Sequence, residues 1–260
     1  IVQNSAFDST NNAGIYQYGF GDVSTIRQYG LSAGNFTYTY QYGKDGAPSN
    51  NIDIDQTGNS NDVYVTQGFG FDVDIGDQIT WANFAEKIND IALKNNYSME
   101  SEQTYGNSAT IDQTGTSNSL GVAQTTNGNS VIVTQKSNDN RAGIFQSGKN
   151  DEANLTQSGA GGHLALIRQD DNEGSVSILQ KAQNNFTFVK QDGQSNTASV
   201  NQFANSNQTA IDQSGSGNEA MVDQFSENNT AVITQTGTND EATINQNGEG
   251  DSEAIITQSD

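Results

Sequence analysis

Along most of the chain, residues of one kind recur at every second position, and the whole pattern returns about every eleven residues. A branched aliphatic marks each unit, at Ile111, Val122, Val133, Ile144, Leu155, Ile167, Ile178, Val189, Val200, Ile211, Val222, Ile233, Ile244 and Ile256. Two residues later stands a glutamine: Gln113, Gln124, Gln135, Gln146, Gln157, Gln169, Gln180, Gln191, Gln202, Gln213, Gln224, Gln235, Gln246 and Gln258. The glutamines are eleven residues apart, with two steps of twelve. Six before them sits asparagine in most units (Asn107, Asn118, Asn129, Asn140, Asn185, Asn196, Asn207, Asn218, Asn229), and four before them a small residue, commonly Ala. The unit reads Asn-x-Ala-x-Ile-x-Gln-x-Gly.

In a β-strand, positions i, i+2, i+4 and i+6 share a face, so the Asn, Ala, Ile and Gln of one unit point the same way, which a helix does not allow. The Gly two residues after Gln, as at Gly115, Gly148, Gly159, Gly193, Gly215, Gly237 and Gly248, suits a tight corner. Looser copies surround Gln17, Gln28, Gln41, Gln56 and Gln67, with Asn11, Asn35, Asn50 and Asn61 six residues ahead of four of them. One such strand cannot bury its inward face alone. Two facing units close a coil of about 22 residues, and coils stack at the ~4.8 Å strand spacing. The pattern therefore predicts an all-β fold, a β-solenoid of about ten two-strand coils. Residue i then lies over i+22, and inward Gln and Asn form uniform ladders. A primary amide is both donor and acceptor, and leaving one unpaired inside costs about 1–3 kcal/mol.

Between Gln67 and Asn107 the period fails. There Trp81, Phe84, Ile88 and Ile91 fall at helical spacing, which predicts one inserted amphipathic helix docked on the side of the coil or facing a partner. Three segments follow: an N-terminal repeat block (1–68), an insertion (69–106) and a C-terminal repeat block (107–260).

Composition sharpens this picture. Only 32% of the 260 residues are hydrophobic, with 27 Gly and one Pro, too little for a thick ordinary core. A formal charge of -21 disfavours nucleic acid and anionic membrane surfaces as partners. There is no Cys, and no apolar run of the roughly 18 residues that a membrane-crossing helix needs. The first residue is Ile, which suggests a processed chain. Catalysis finds no constellation: the one histidine, His163, occupies an Asn position, and no nucleophile elbow or metal motif occurs. The acids Asp170, Asp171 and Glu173 lack the Gly-rich nonapeptide of calcium-binding rolls, so no cofactor or metal is expected. Tyr18, Tyr29 and Tyr42 each follow a repeat Gln and, with Tyr16, Tyr38 and Tyr40, read as cross-strand packing rather than a carbohydrate strip.

The units Asn107-Ser-Ala109-x3-Gln113-Thr-Gly115, Asn218-Glu-Ala220-x3-Gln224 and Asn229-Thr-Ala231-x3-Gln235-Thr-Gly237 resemble the curlin repeat of bacterial curli fibres, and the similarity extends over residues 11–67 and 107–260. The resemblance implies export through an outer-membrane secretion channel, nucleation by a minor nucleator subunit, and a place in biofilm matrix and adhesion. Repeat-type sequence starts at Ile1-Val2-Gln3 and runs to Gln258, so Val2, Gln3, Ile256 and Gln258 are read as open edges. Joining unlike ends does not close, which makes the chain its own partner in a head-to-tail homopolymer. The competing reading is a non-polymerising solenoid with an ice-binding or ligand-binding face. The position before Gln (Asp112, Ala123, Thr134, Phe145, Thr156, Arg168, Leu179, Lys190) is too mixed for a flat ice-binding array.

Overall fold

The computed structural model describes residues 2–5, 11–18, 21–30, 34–43, 48–67, 104–170 and 172–259. Every regular element among them is a strand. The N-terminal block contributes β1 (Val2–Ser5), β2 (Asn12–Tyr18), β3 (Val23–Gly30), β4 (Phe36–Tyr42), β5 (Asn51–Asn59) and β6 (Asp62–Gln67). Next come β7 (Ser108–Thr116), β8 (Ser119–Gln124), β9 (Ser130–Lys136), β10 (Arg141–Gln146), β11 (Glu152–Ser158), β12 (Leu164–Gln169) and β13 (Ser175–Gln180). The chain continues through β14 (Phe186–Gln194), β15 (Thr197–Gln202), β16 (Gln208–Ser216), β17 (Glu219–Gln224), β18 (Thr230–Gln235), β19 (Glu241–Gln246) and β20 (Glu253–Gln258).

Odd strands build one ten-stranded sheet and even strands another, each in sequential order. All pairings are parallel and keep like residues opposite: Gln135 faces Gln157, Val133 faces Leu155, Val131 faces Ala153. Register is fixed because a slip of one residue would turn every inward side chain outward. Ten strands are joined by nine steps in each sheet, so the coil makes about nine turns rather than ten. The two repeat blocks stack on each other without a break, β5 on β7 with Gln56 opposite Gln113, and β6 on β8 with Gln67 opposite Gln124. Trp81, Phe84, Ile88 and Ile91, which carry the helix expectation, lie outside the described residues.

The main core is a thin seam between the sheets, and a second, small apolar cluster joins Leu166 to Leu164, Phe186 and Phe188. Ile26, Ile54, Val65, Val189, Ile211 and Ile233 have no exposed surface, and Ala109, Ala153, Ala165 and Ala231 are as fully buried in the same main cluster. Each buried Ile or Val contributes about 1.5–3 kcal/mol. Repetition makes up for the small number of apolar groups in any one coil.

The corners follow a backbone rule. Some of the glycines that follow Gln are left-handed, as at Gly115 (φ 128°) and Gly193 (φ 128°), whereas Gly148, Gly237 and Gly248 are not. The more regular left-handed position is the residue just before the inward Asn. It is occupied by Gly21, Ser60, Gly106, Ser117, Gly128, Asp139, Asn150, Gly162, Glu173, Asn184, Ser195, Ser206, Gly217, Asn228, Asn239 and Asp251, all at positive φ. One left-handed residue turns the chain into the next strand, and Gly, Asn, Asp and Ser dominate because that conformation is least costly for Gly and for short polar side chains. Glu173, at φ 62°, is the misfit. Glu173→Gly should raise stability by up to about 1 kcal/mol in urea denaturation. By contrast, Gly115→Ala would drive a Cβ into the carbonyl of Ser137 on the next coil and should destabilise by at least about 1–2 kcal/mol.

Candidate functional site

Alternation turns one glutamine per strand into the coil, and parallel register sets it directly under the next. In the odd sheet Gln28, Gln56, Gln113, Gln135, Gln157, Gln180, Gln202, Gln224 and Gln246 form a chain in which each Nε2 donates to the Oε1 of its successor at 2.7–3.0 Å. Gln3 lies opposite Gln28 in the same register. In the even sheet Gln17, Gln41, Gln67, Gln124, Gln146, Gln169, Gln191, Gln213, Gln235 and Gln258 do the same at 2.7–3.1 Å. Every bond runs in one sense, from the earlier coil to the later.

That sense is set by a second bond. From Gln28 onward each amide also reaches across the coil to the carbonyl of the first residue in a facing strand, as Gln124 to Ser108 (3.1 Å), Gln157 to Arg141 (3.1 Å), Gln202 to Phe186 (2.8 Å) and Gln213 to Thr197 (2.9 Å). Only the NH2 side can donate there, so the carbonyl side must look toward the preceding coil. The two columns are thus polar wires pointing the same way.

The asparagine column is bonded differently. Its amides do not donate to one another; each Oδ1 accepts the backbone N–H of the next coil's counterpart. Asn50 accepts from Asn107 (3.1 Å), Asn61 from Asn118 (3.1 Å), Asn107 from Asn129 (2.9 Å), Asn118 from Asn140 (3.1 Å), Asn185 from Asn207 (2.9 Å), Asn196 from Asn218 (3.0 Å) and Asn207 from Asn229 (2.9 Å). Asn11 and Asn35 act in the same way toward Asn35 and Asn61 at 3.3 and 3.0 Å. The Nδ2 groups donate to corner oxygens, as Asn218 does to the carbonyls of Ser214 (2.9 Å) and Gly237 (3.2 Å). Asparagine therefore ties each corner to the coil above.

His163 takes this role with another chemistry. It is 1% exposed, its Nδ1 accepts the N–H of Asn185 (3.3 Å), and its Nε2 lies 2.8 Å from the Ser158 carbonyl. Nδ1 stands in for Oδ1 and Nε2–H for Nδ2–H, which requires the neutral Nε2–H tautomer. Burial lowers its pKa below the ordinary 6.5, against smaller opposing contributions from the backbone hydrogen bonds of Ser158 and Ala182.

Four threonines were not singled out by the repeat reading. Thr37, Thr187 and Thr209 replace Ala, and Thr39 replaces the aliphatic, all fully buried. Thr37 donates to Gln56 Oε1 (2.7 Å), Thr187 to Gln202 Oε1 (3.0 Å) and Thr209 to Gln224 Oε1 (3.0 Å), joining even-sheet strands to the odd-sheet column. The signal was there as Thr four residues before Gln41, Gln191 and Gln213.

The terminal strands differ from the interior. Inward residues are buried from β7 to β19, yet on β20 Ala254, Ile256 and Gln258 are only partly covered, and on β2 Ala13 and Ile15 are half-buried and Gln17 is exposed. Gln258 keeps its cross-coil bond to Glu241 (3.0 Å), and no later described glutamine stands over it. Among the described residues no group of three or more acids or histidines could hold a metal, and no helix could cross a membrane.

Two sheets of parallel strands wound into one coil, with uniform inward amide columns, define a two-sided β-solenoid. The family model of the curlin associated repeat matches it four times, at residues 106–136, 129–159, 193–225 and 204–237, so the chain carries curlin repeats. No curated protein matches the chain.

Three measurements test this site. Gln124→Leu removes a donor to Gln146, a donor to Ser108 and the acceptor of Gln67, and should cost about 3 kcal/mol or more, whereas outward Asp112→Asn should stay within about 0.5 kcal/mol. A lowered histidine pKa means that the stability His163 contributes is complete above pH 6.5 and is lost as pH falls through its folded-state value. The wild type should therefore weaken on acidification relative to His163→Asn, read as a urea midpoint followed across pH. Asp62, raised by burial, and Asp55, raised by burial and by Asp112 and Asp53 against the lowering effect of Arg27, act in the opposite sense. Their contribution is greatest at acid pH and falls as pH rises through their raised values, so Asp62→Asn should flatten that arm of the profile.

Proposed function

We propose that this protein is the structural subunit of an extracellular curli-like amyloid fibre, built head to tail by stacking the β19/β20 end of one copy on the β1/β2 end of the next. The observation that carries the reading is the one-way glutamine wire. In the even column it runs from the Gln17 carbonyl at one end to the Gln258 NH2 group, bonded only to Glu241, at the other, so unlike ends complement each other and like ends do not. The repeat register supports it. Set one coil beyond β20, β2 would place Ala13 over Ala254, Ile15 over Ile256 and Gln17 over Gln258, while Gln3 would follow Gln246. Val2, Gln3, Ile256 and Gln258 are the assembly edges in this reading. Curlin repeats further support a secreted, non-enzymatic matrix protein that serves biofilm cohesion and surface adhesion, exported through an outer-membrane channel and started by a nucleator subunit. The interior coils carry the stack, and in the sequence residues 69–106 separate the two repeat blocks.

The test is incubation of the purified chain followed by electron microscopy and fibre diffraction. Unbranched fibres with the ~4.8 Å meridional repeat of cross-β stacking are expected. Gln258→Leu or Ile256→Asp should suppress elongation while leaving the circular dichroism of the unassembled protein unchanged. Monodisperse particles that never elongate would contradict the proposal and favour a non-polymerising binding solenoid.

A further inference from the structure

The outer face of the even sheet begins with a packed row of phenols. β2 pairs with β4 so that Tyr16 lies opposite Tyr40, Tyr18 opposite Tyr42 and Gly14 opposite Tyr38. With no side chain at Gly14, Tyr16 and Tyr38 lean into the space a Cβ would take; their ring atoms lie 3.4 Å (Tyr38) and 3.6 Å (Tyr16) from that point. The rings form a zigzag between two strands. Tyr16 is 5.3 Å from Tyr38 and 6.3 Å from Tyr40, and Tyr18 is 5.9 Å from Tyr40 and 6.4 Å from Tyr42, centroid to centroid. Tyr16 and Tyr18 are 49% and 55% exposed, so a reagent in solution reaches the row from the β2 side.

We propose that the zigzag Tyr38–Tyr16–Tyr40–Tyr18–Tyr42 is an oxidative cross-linking site, at which a peroxide-dependent one-electron oxidant joins β2 to β4 through a dityrosine bond. Two neighbouring phenols each lose an electron and a proton. The resulting radicals couple ortho carbon to ortho carbon, and the two ortho hydrogens move to the phenolic oxygens as the rings regain aromaticity. Hydrogen peroxide accepts the two electrons and two protons, its O–O bond breaks, and two waters leave. Exposed rings reorient on the picosecond–nanosecond scale, which brings ortho carbons of adjacent rings together without moving either strand. Burial and the neighbouring phenols raise the pKa of Tyr38 and Tyr40, so both stay protonated at neutral pH and lose a proton together with the electron. The bond would staple the first strand of the even sheet, whose inward side is the least covered, to the coil behind it. This chemistry is internal to one chain and stands apart from the fibre reading.

Trypsin separates the partners, because Arg27 and Lys44 put Tyr16 and Tyr18 on one peptide and Tyr38, Tyr40 and Tyr42 on the next. The full chain, mixed from isotope-labelled and unlabelled batches, is treated with a haem peroxidase and hydrogen peroxide, digested and analysed by mass spectrometry. The expected product joins peptide 1–27 to peptide 28–44, two hydrogens lighter than their sum, with both halves carrying the same isotope. The double variant Tyr16→Phe/Tyr18→Phe keeps the rings and should lose this product, whereas Tyr29→Phe should not. Mixed-isotope pairs as the main product, linkage centred on Tyr105, or retention of the 1–27/28–44 link in the double variant would each overturn the assignment.

Discussion

A primary amide buried in an apolar seam must have its donors and acceptor matched, and in this molecule that requirement is met by identical side chains one coil apart. An isolated inward glutamine would be a liability of about 1–3 kcal/mol; a column of them is self-satisfying. The requirement reaches outward from there. It needs parallel register without slips, corners of nearly constant length, and a counterpart on every coil. The two columns also finish differently among the described residues: Gln246 donates to the carbonyls of Thr230 and Ser252, whereas Gln258 donates to that of Glu241 alone.

Glutamine and asparagine carry the same functional group and do different work. The longer glutamine side chain spans the coil and contacts both its successor and a facing strand. Asparagine, shorter by one methylene and placed at a corner, reaches the backbone N–H of the next coil with its oxygen and nearby corner oxygens with its nitrogen. His163 shows what that position asks for, an acceptor and a donor at fixed separation rather than an amide as such, and Asp22 meets the acceptor half by taking the N–H of Asn50 at 3.0 Å.

Much of this was legible in the sequence. The period of two gave the inward face, the period of eleven gave the corners, and the column assignments follow from stacking alone. The left-handed position before Asn was harder to see, because Ser117, Asn150 and Glu173 share a backbone conformation and not a side-chain type. The polarity of the columns was not legible at all, since it depends on which carbonyl the NH2 group meets across the coil. The threonine cross-links were visible only once Thr37, Thr187 and Thr209 were known to face glutamines of the other sheet. The helical spacing of Trp81, Phe84, Ile88 and Ile91 belongs to a stretch outside the described residues.

The most direct test of the one-way wire is the side-chain amide resonances of glutamine, measured by solid-state NMR with through-hydrogen-bond correlation. Nε2 of Gln113 should correlate with the side-chain carbonyl of Gln135, and Nε2 of Gln135 with that of Gln157, with protons that exchange slowly with solvent. Correlations in the reverse sense, or amide protons exchanging as freely as those of an unfolded chain, would contradict it.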